Sequence, residues 1–188
     1  MLGTIKFQGI RKMVNRRLFL SGTALAVLSA CAKSESKAAI ANVDEGSEMT
    51  KPDTSSIPDY DQWQLSEKEW KERLSPEQFA VLRNEATERP WTSPLNDEKR
   101  AGIFACAGCG LDLFTSDTKY DSGTGWPSYF DFIPGALGTK RDFKLLVPRT
   151  EYHCARCGGH QGHVFTDGPE PTGLRYCNNG VALKFKPS

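Results

Sequence analysis

Six cysteines and three histidines hold most of the reactive chemistry available to this 188-residue chain. Four of the cysteines form two copies of one unit, Cys106-Ala107-Gly108-Cys109-Gly110 and Cys154-Ala155-Arg156-Cys157-Gly158. In a CxxCG turn the two thiolates converge, and the trailing glycine supplies the positive φ that closes the turn. Two such turns together offer the tetrahedral sulfur set of a structural zinc, with no coordination position left open for catalysis. A pair of disulfides is the competing reading in an oxidising compartment. Bridges between CxxC neighbours are strained and easily reduced, which favours zinc. Cys177 is the one cysteine of the body outside these turns, and His160 and His163 lie three residues apart upstream of it. A lone cysteine with histidines elsewhere is a candidate nucleophile; a buried structural thiol is the alternative. On a strand through 174–179, Arg175, Cys177 and Asn179 share one face. A cation beside a thiol favours the nucleophilic thiolate, although Arg175 bridging to a carboxylate is the other reading.

The elements that must position these groups fall into two textures. Ser66-Glu67-Lys68-Glu69 and Ser75-Pro76-Glu77-Gln78 are capping boxes, each followed by apolar residues on one helical face, Trp70 with Leu74 and Phe79 with Leu82. Two short helices follow. Beyond Pro90, the runs 102–105, 111–114, 143–147, 152–154, 163–166, 174–177 and 182–185 alternate with Gly, Pro, Asp and Asn clusters. Short strands at that spacing predict a mainly β, antiparallel core under a helical cap. Such a lean domain gains from a metal that ties two hairpins together.

The first residues are of another kind. Residues 1–31 carry five basic and no acidic side chains, so the remainder has 19 basic against 23 acidic residues, a net charge of −4. That balance argues against a phosphate-backbone partner, hence against nucleic acid. Arg16-Arg17 leads into an apolar run of thirteen residues, Leu18 to Ala30, too short for a bilayer span of roughly 20. This is the build of a signal peptide. The arginine pair resembles a twin-arginine export signal, and Leu28-Ser29-Ala30-Cys31 resembles a lipobox whose cysteine is lipidated after cleavage. An apolar helix packed on the core is the bland alternative. Met13 is a second candidate start. The expected organisation is an export signal over 1–31, a flexible tether over 32–59 and a folded domain over 60–188. The expected destination is the periplasm or cell envelope, with membrane contact through a lipid on Cys31 alone.

The run DSGTGWPS (121–128), followed by CARCGGHQGHVFTDGPEPTGLRYCNN (154–179), resembles the methionine-R-sulfoxide reductases of B type. The likeness extends from about Trp70 through LSPEQF and TERP to Phe185. It implies two small antiparallel sheets in a β-tent-like arrangement, short N-terminal helices and often a four-cysteine zinc site. By matching motif, Cys177 corresponds to the catalytic cysteine and Trp126 to the indole that holds the substrate's S-methyl group. His160, His163 and Asn179 match the polar residues around the sulfoxide oxygen. The implied partners are oxidised proteins carrying methionine sulfoxide and a thioredoxin-like or small dithiol reductant; the R epimer rests on the resemblance alone.

The chain departs from that pattern where many relatives have a resolving cysteine, at Thr124; Gln161, Asn178 and Gly180 also differ from the usual residues. With the knuckle sulfurs on zinc and Cys31 lipidated, no internal resolving thiol remains, which predicts an external reductant. An unlipidated Cys31 would instead be a candidate resolver. Two other classes compete: a non-enzymatic zinc-ribbon binding module, and a papain-like hydrolase. The second is disfavoured because Asn179, two residues from Cys177, is badly placed to orient a distant histidine.

Overall fold

The computed structural model describes residues 54–188. The export signal, the lipobox Cys31 and most of the expected tether lie outside the described residues. A single 3-10 turn at Thr54–Ser56 is followed by a buried Ile57, so packing reaches back into the segment expected as tether. No helix among the described residues is long and apolar enough to cross a membrane.

Both capping boxes are realised. Helix α1 (Glu67–Arg73) starts at Ser66, whose hydroxyl accepts the Glu69 N–H while Glu69 reaches back to the Ser66 N–H. Helix α2 (Pro76–Asn84) repeats the device with Ser75 and Gln78, with proline at its first position. These reciprocal bonds satisfy backbone donors that a helix start otherwise leaves open. The helices turn Trp70, Val81 and Leu82 inward, and Trp70 and Leu82 pack against Gly108 of the first CxxCG turn.

Nine strands follow, all paired antiparallel. Strands β1 (Gly102–Cys106) and β2 (Asp112–Thr115) form a three-stranded sheet with β9 (Leu183–Pro187), in the order β2-β1-β9. Strands β3 (Lys119–Tyr120), β4 (Ser128–Tyr129), β5 (Leu137–Asp142), β6 (Arg149–Cys154), β7 (His160–Phe165) and β8 (Arg175–Asn178) make the second sheet, ordered β3-β4-β8-β7-β6-β5. The chain therefore has the two antiparallel sheets and short helices that its sequence implies.

Aromatic rings from both sheets interleave to form the core. Phe114 of the first sheet stacks on Tyr129 of the second with centroids 4.1 Å apart, and Phe104 meets the same ring edge-on at 5.2 Å. Tyr152 and Tyr176 complete the cluster. Offset and edge contacts of this kind add to the burial of large apolar area.

One strand differs from its sequence reading. The run 143–147 is not a strand: Phe143, Leu145, Leu146 and Val147 are exposed in the loop between β5 and β6. The strand lies just before it, in Leu137–Asp142, where Gly138, Lys140 and Arg141 interrupt any apolar pattern. β5 is an edge strand, where partly exposed polar residues are tolerated, and its pairing with β6 rather than its composition creates it.

Two of the departures from the family pattern meet inside this fold. Asn178 and Gln161 are both fully buried, and Asn178 Nδ2 lies 3.5 Å from Gln161 Oε1. Asn178 Oδ1 also accepts the Tyr152 hydroxyl at 2.7 Å. Asn178→Leu would orphan that buried hydroxyl and is expected to cost about 1–3 kcal/mol. Adding Tyr152→Phe should recover much of the loss, because both polar partners are then gone. Urea unfolding of the two variants checks this through the midpoint at constant m-value.

Candidate active site

The four knuckle cysteines come together. Their sulfurs all lie within 4.8 Å of one another and all four residues are buried. The nearest pairs run between the knuckles, Cys106 to Cys157 at 3.7 Å and Cys109 to Cys154 at 3.5 Å. A tetrahedron with zinc–sulfur bonds near 2.3 Å has edges of roughly 3.8 Å, so the cluster has the size that zinc requires. All four are free thiols. Gly110 and Gly158 take φ of 77° and 67°, and each donates its N–H to the carbonyl of the first cysteine of its knuckle, at 2.8 and 2.9 Å. Contacts with the sister sulfurs, joined by burial, push Cys154 up, while hydrogen bonds from Cys106, Cys154 and Cys157 pull Cys109 down. Packed so closely, the sulfurs cannot all be thiolates unless a cation shares their charge. The donor set fits zinc, which would be held by Cys106, Cys109, Cys154 and Cys157 in a structural role.

Cys177 stands apart from that cluster, half-buried on the central strand β8. Its register partners are Ser128 on β4 and His163 on β7. Side chains alternate along β8: Tyr176 and Asn178 go into the core, Arg175 and Cys177 to the opposite face. The close approach of β7 needs a glycine, since a Cβ on Gly162 would sit 1.9 Å from the Cys177 carbonyl oxygen. Burial pushes the Cys177 thiol up, and the Arg175 guanidinium and the Thr124 hydroxyl oppose it without cancelling it. Arg175 combines both sequence readings, because it also makes two 2.8 Å bonds to the Asp167 carboxylate.

Arg175→Met removes the cation that favours the thiolate. Cys177 then ionises at higher pH, so alkylation at pH 7 should slow about tenfold. Wild-type and variant rates should converge at high pH, where both thiols are ionised. Mass-mapped alkylation across pH reads this directly.

Both histidines are held by carboxylates that sequence reading missed. His160 is buried, with Nδ1 2.7 Å from Glu151 Oε1, and its Nε2 has no protein partner. His163 Nε2 lies 2.7 Å from Asp142 Oδ2. The two imidazoles meet edge to face, 5.5 Å between centroids. Burial raises Glu151, but hydrogen bonds from His153 and His160 outweigh that and bring it down to about 2. Asp142 is held well below the usual carboxylate range, chiefly by the Lys144 N–H and also by His163 and Arg149. Burial keeps His163 below the ordinary histidine value, only partly offset by Asp142. An anionic Glu151 fixes the His160 Nδ1 as donor, leaving Nε2 for a ligand. His153, read as a neighbour of the metal, also bonds Glu151 through Nδ1 at 3.1 Å.

Asn179 and Trp126 are reached by a strap before Trp91. The Asn179 Oδ1 accepts the Glu88 N–H at 3.0 Å, and Nδ2 donates to the Gln161 carbonyl at 2.9 Å. Its amide is thus engaged with backbone on both sides, and it holds the end of β8 in place. Trp126 is half-buried and donates its indole N–H to the Glu88 carbonyl at 3.1 Å. The Glu88 carboxylate caps the N–H groups of Gly180 and Val181. A cleft of about 120 Å³ opens beside Trp126, lined also by Trp91, Asn96, Lys119, Tyr120 and Gly125. No local signal marks Asp142, Glu151 or Glu88, because each partner lies nine or more residues away in sequence.

Fold and site together define a cysteine-dependent enzyme of two antiparallel sheets, whose metal site is separate from its reactive thiol. The SelR domain family matches residues 74–187. The chain belongs to that family, the MsrB type of methionine sulfoxide reductases. It is 53% identical to a peptide methionine sulfoxide reductase MsrB of Leifsonia xyli over 124 residues, covering 65% of this chain and 89% of the relative. An MsrB of Agrobacterium fabrum is likewise 53% identical over 123 residues, 65% of this chain and 91% of the relative. The chloroplastic peptide methionine sulfoxide reductase B1 of Arabidopsis thaliana is 51% identical over 122 residues, 64% of this chain and 60% of its own length.

Proposed function

We propose that this chain reduces the R epimer of methionine sulfoxide in oxidised proteins to methionine, with Cys177 as nucleophile. The observation that carries the reading is a half-buried thiol facing a histidine on the neighbouring strand, away from the four-sulfur cluster. The Cys177 thiolate attacks the sulfoxide sulfur as the oxygen gains negative charge. That oxygen needs a proton or a hydrogen bond to leave sulfur. His160 Nε2, free of protein partners, supplies one such group, and His163, backed by Asp142, supplies a second. Thiol plus sulfoxide gives sulfenic acid plus thioether, so oxygen passes from methionine to Cys177. Trp126 offers an apolar wall to the methyl group. Asn179 acts by fixing the strand end and the strap.

The sulfenic acid is a reversible state. Among the described residues the other four cysteines belong to the sulfur cluster, so two external thiols complete the cycle, yielding Cys177, water and a disulfide. Thioredoxin-like proteins and small dithiols both fit that role. The test offers separate R and S sulfoxides of a capped methionine, followed by intact mass. Reduction of R alone, with one oxygen added to the protein, supports the reading. A loss of two hydrogens would instead implicate an internal resolving thiol such as Cys31.

We further propose, from the paired arginines and the lipobox spacing, that residues 1–31 export the chain and that Cys31 anchors it by lipid to the cell envelope. Membrane fractionation of wild type against Cys31→Ala tests this: the variant should move to the soluble fraction, and an unchanged distribution overturns the anchor.

A further inference from the structure

We propose that Ser128, Ser122 and Thr124 form a hydroxyl relay that ends on Cys177 and reverses direction when the thiol ionises, making the two serines positioning residues. The proposal rests on Cys177 being the nucleophile. Ser128 is fully buried and directly opposite Cys177 in the β4–β8 ladder, so the relay starts beside the sulfur's own strand. The Ser128 and Ser122 oxygens are 2.8 Å apart, and those of Ser122 and Thr124 are also 2.8 Å apart. Ser128 Oγ lies 3.2 Å from the Trp126 carbonyl oxygen. The Thr124 hydroxyl is within hydrogen-bonding reach of the Cys177 sulfur. The line therefore runs from a backbone carbonyl through three hydroxyls to the reactive thiol.

Each hydroxyl has one proton to give and two lone pairs to receive with. Direction along such a line is therefore shared by all its members. With Cys177 as a thiol, S–H donates to Thr124, Thr124 to Ser122, Ser122 to Ser128, and Ser128 to the Trp126 carbonyl. Every proton is placed. Once the thiol proton has left to solvent or to a base, the sulfur can only accept. The three hydroxyls then rotate: Ser128 donates to Ser122, Ser122 to Thr124, and Thr124 to the thiolate. No hydroxyl proton changes owner, no heavy atom must move, and only the Trp126 carbonyl loses a donor.

The charged and titratable neighbours leave room for such a device. From β8 itself comes Arg175, whose guanidinium is already engaged in both bonds to Asp167. His163 faces from β7, while Tyr120 from β3 and Tyr152 from β6 feel the sulfur's charge. None of these is a cation committed to the thiolate alone. A neutral hydroxyl line stabilises the anion without adding a charge that would need its own partner. It also gives Thr124, which stands where many relatives carry a cysteine, a function in this chain.

The test is the pH dependence of Cys177 alkylation by iodoacetamide in the full zinc-loaded chain, read by peptide mass, which requires no sulfoxide. Thr124→Val should slow alkylation at pH 7 about tenfold, and Ser122→Ala and Ser128→Ala about threefold, each by moving the midpoint upward. Thr124→Ser and Ser122→Thr should restore the wild-type midpoint. Because Ser128 is fully buried, Ser122→Ala carries the decision if Ser128→Ala does not fold. A midpoint that moves in Thr124→Val but not in Ser122→Ala overturns the relay and leaves Thr124 acting alone. A midpoint unmoved in both overturns it entirely. Turnover of a capped sulfoxide, measured in parallel, separates the two readings: shifted midpoints without sulfoxide reduction keep the relay and remove the enzymatic proposal.

Discussion

Cys177→Ser should lose at least about 10³-fold of its sulfoxide reduction while keeping its fold and its zinc. The argument is chemical before it is structural. A serine hydroxyl at this position ionises far above neutral pH, so the soft anion that sulfoxide sulfur accepts disappears, and a serine cannot carry the transferred oxygen as a sulfenic acid. The structural cost is small: Cys177 is only half-buried, bonds no zinc-site sulfur, and its strand is held by backbone pairing to β4 and β7. The measurement is steady-state reduction of a capped R-sulfoxide beside a thermal melt and zinc content. Retained turnover would remove Cys177 from the chemistry and return the chain to the binding-module reading. Lost turnover with lost zinc would mean that the thiol serves the fold.

The parts of this design that were legible in sequence are those in which structure is made by near neighbours. Ser66 with Glu69 and Ser75 with Gln78 are three residues apart, so a capping box can be read directly and is present as read. The CxxCG turns carry their own closure in Gly110 and Gly158. What stayed hidden is made by pairing. The β5 strand is polar at Lys140, Arg141 and Asp142, and only its ladder with β6 makes it a strand, whereas the apolar run after it reads as one and is a loop. The carboxylates Asp142 and Glu151 reach their histidines across 21 and 9 residues. A histidine pair is visible in a sequence; the acid that fixes its tautomer is not, until the sheet is folded. Asn179 shows the reverse: its place after the nucleophile suggests chemistry, and its hydrogen bonds give it to the Glu88 strap and the Gln161 backbone.

Refolding without zinc, or substituting Cys154→Ser, should leave the domain unable to hold its native state at physiological temperature. The knuckles belong to different sheets: Cys106 closes β1 in the three-stranded sheet and Cys154 closes β6 in the six-stranded one. The metal is thus the covalent-strength link between the layers, beneath a cap that contributes Arg83 to the Cys157 carbonyl at 2.9 Å. Structural zinc sites supply about 10–16 kcal/mol of apparent binding free energy in small peptides, against a total domain stability of about 5–15 kcal/mol. Losing such a term exceeds what the aromatic core can be expected to spare. The link also reaches the nucleophile. Cys106 Sγ lies 3.5 Å from Gln161 Nε2, and the Gln161 carbonyl accepts both the backbone N–H and the side-chain amide of Asn179, two residues beyond Cys177. Activity should therefore fall with zinc rather than after it. Because all four sulfurs are buried, a chelator added to folded protein would act slowly, and refolding from denaturant with and without zinc is the cleaner comparison. A native melt and full turnover without metal would sink the structural-zinc assignment. An intact mass four hydrogens light in that metal-free protein would put two disulfides in its place.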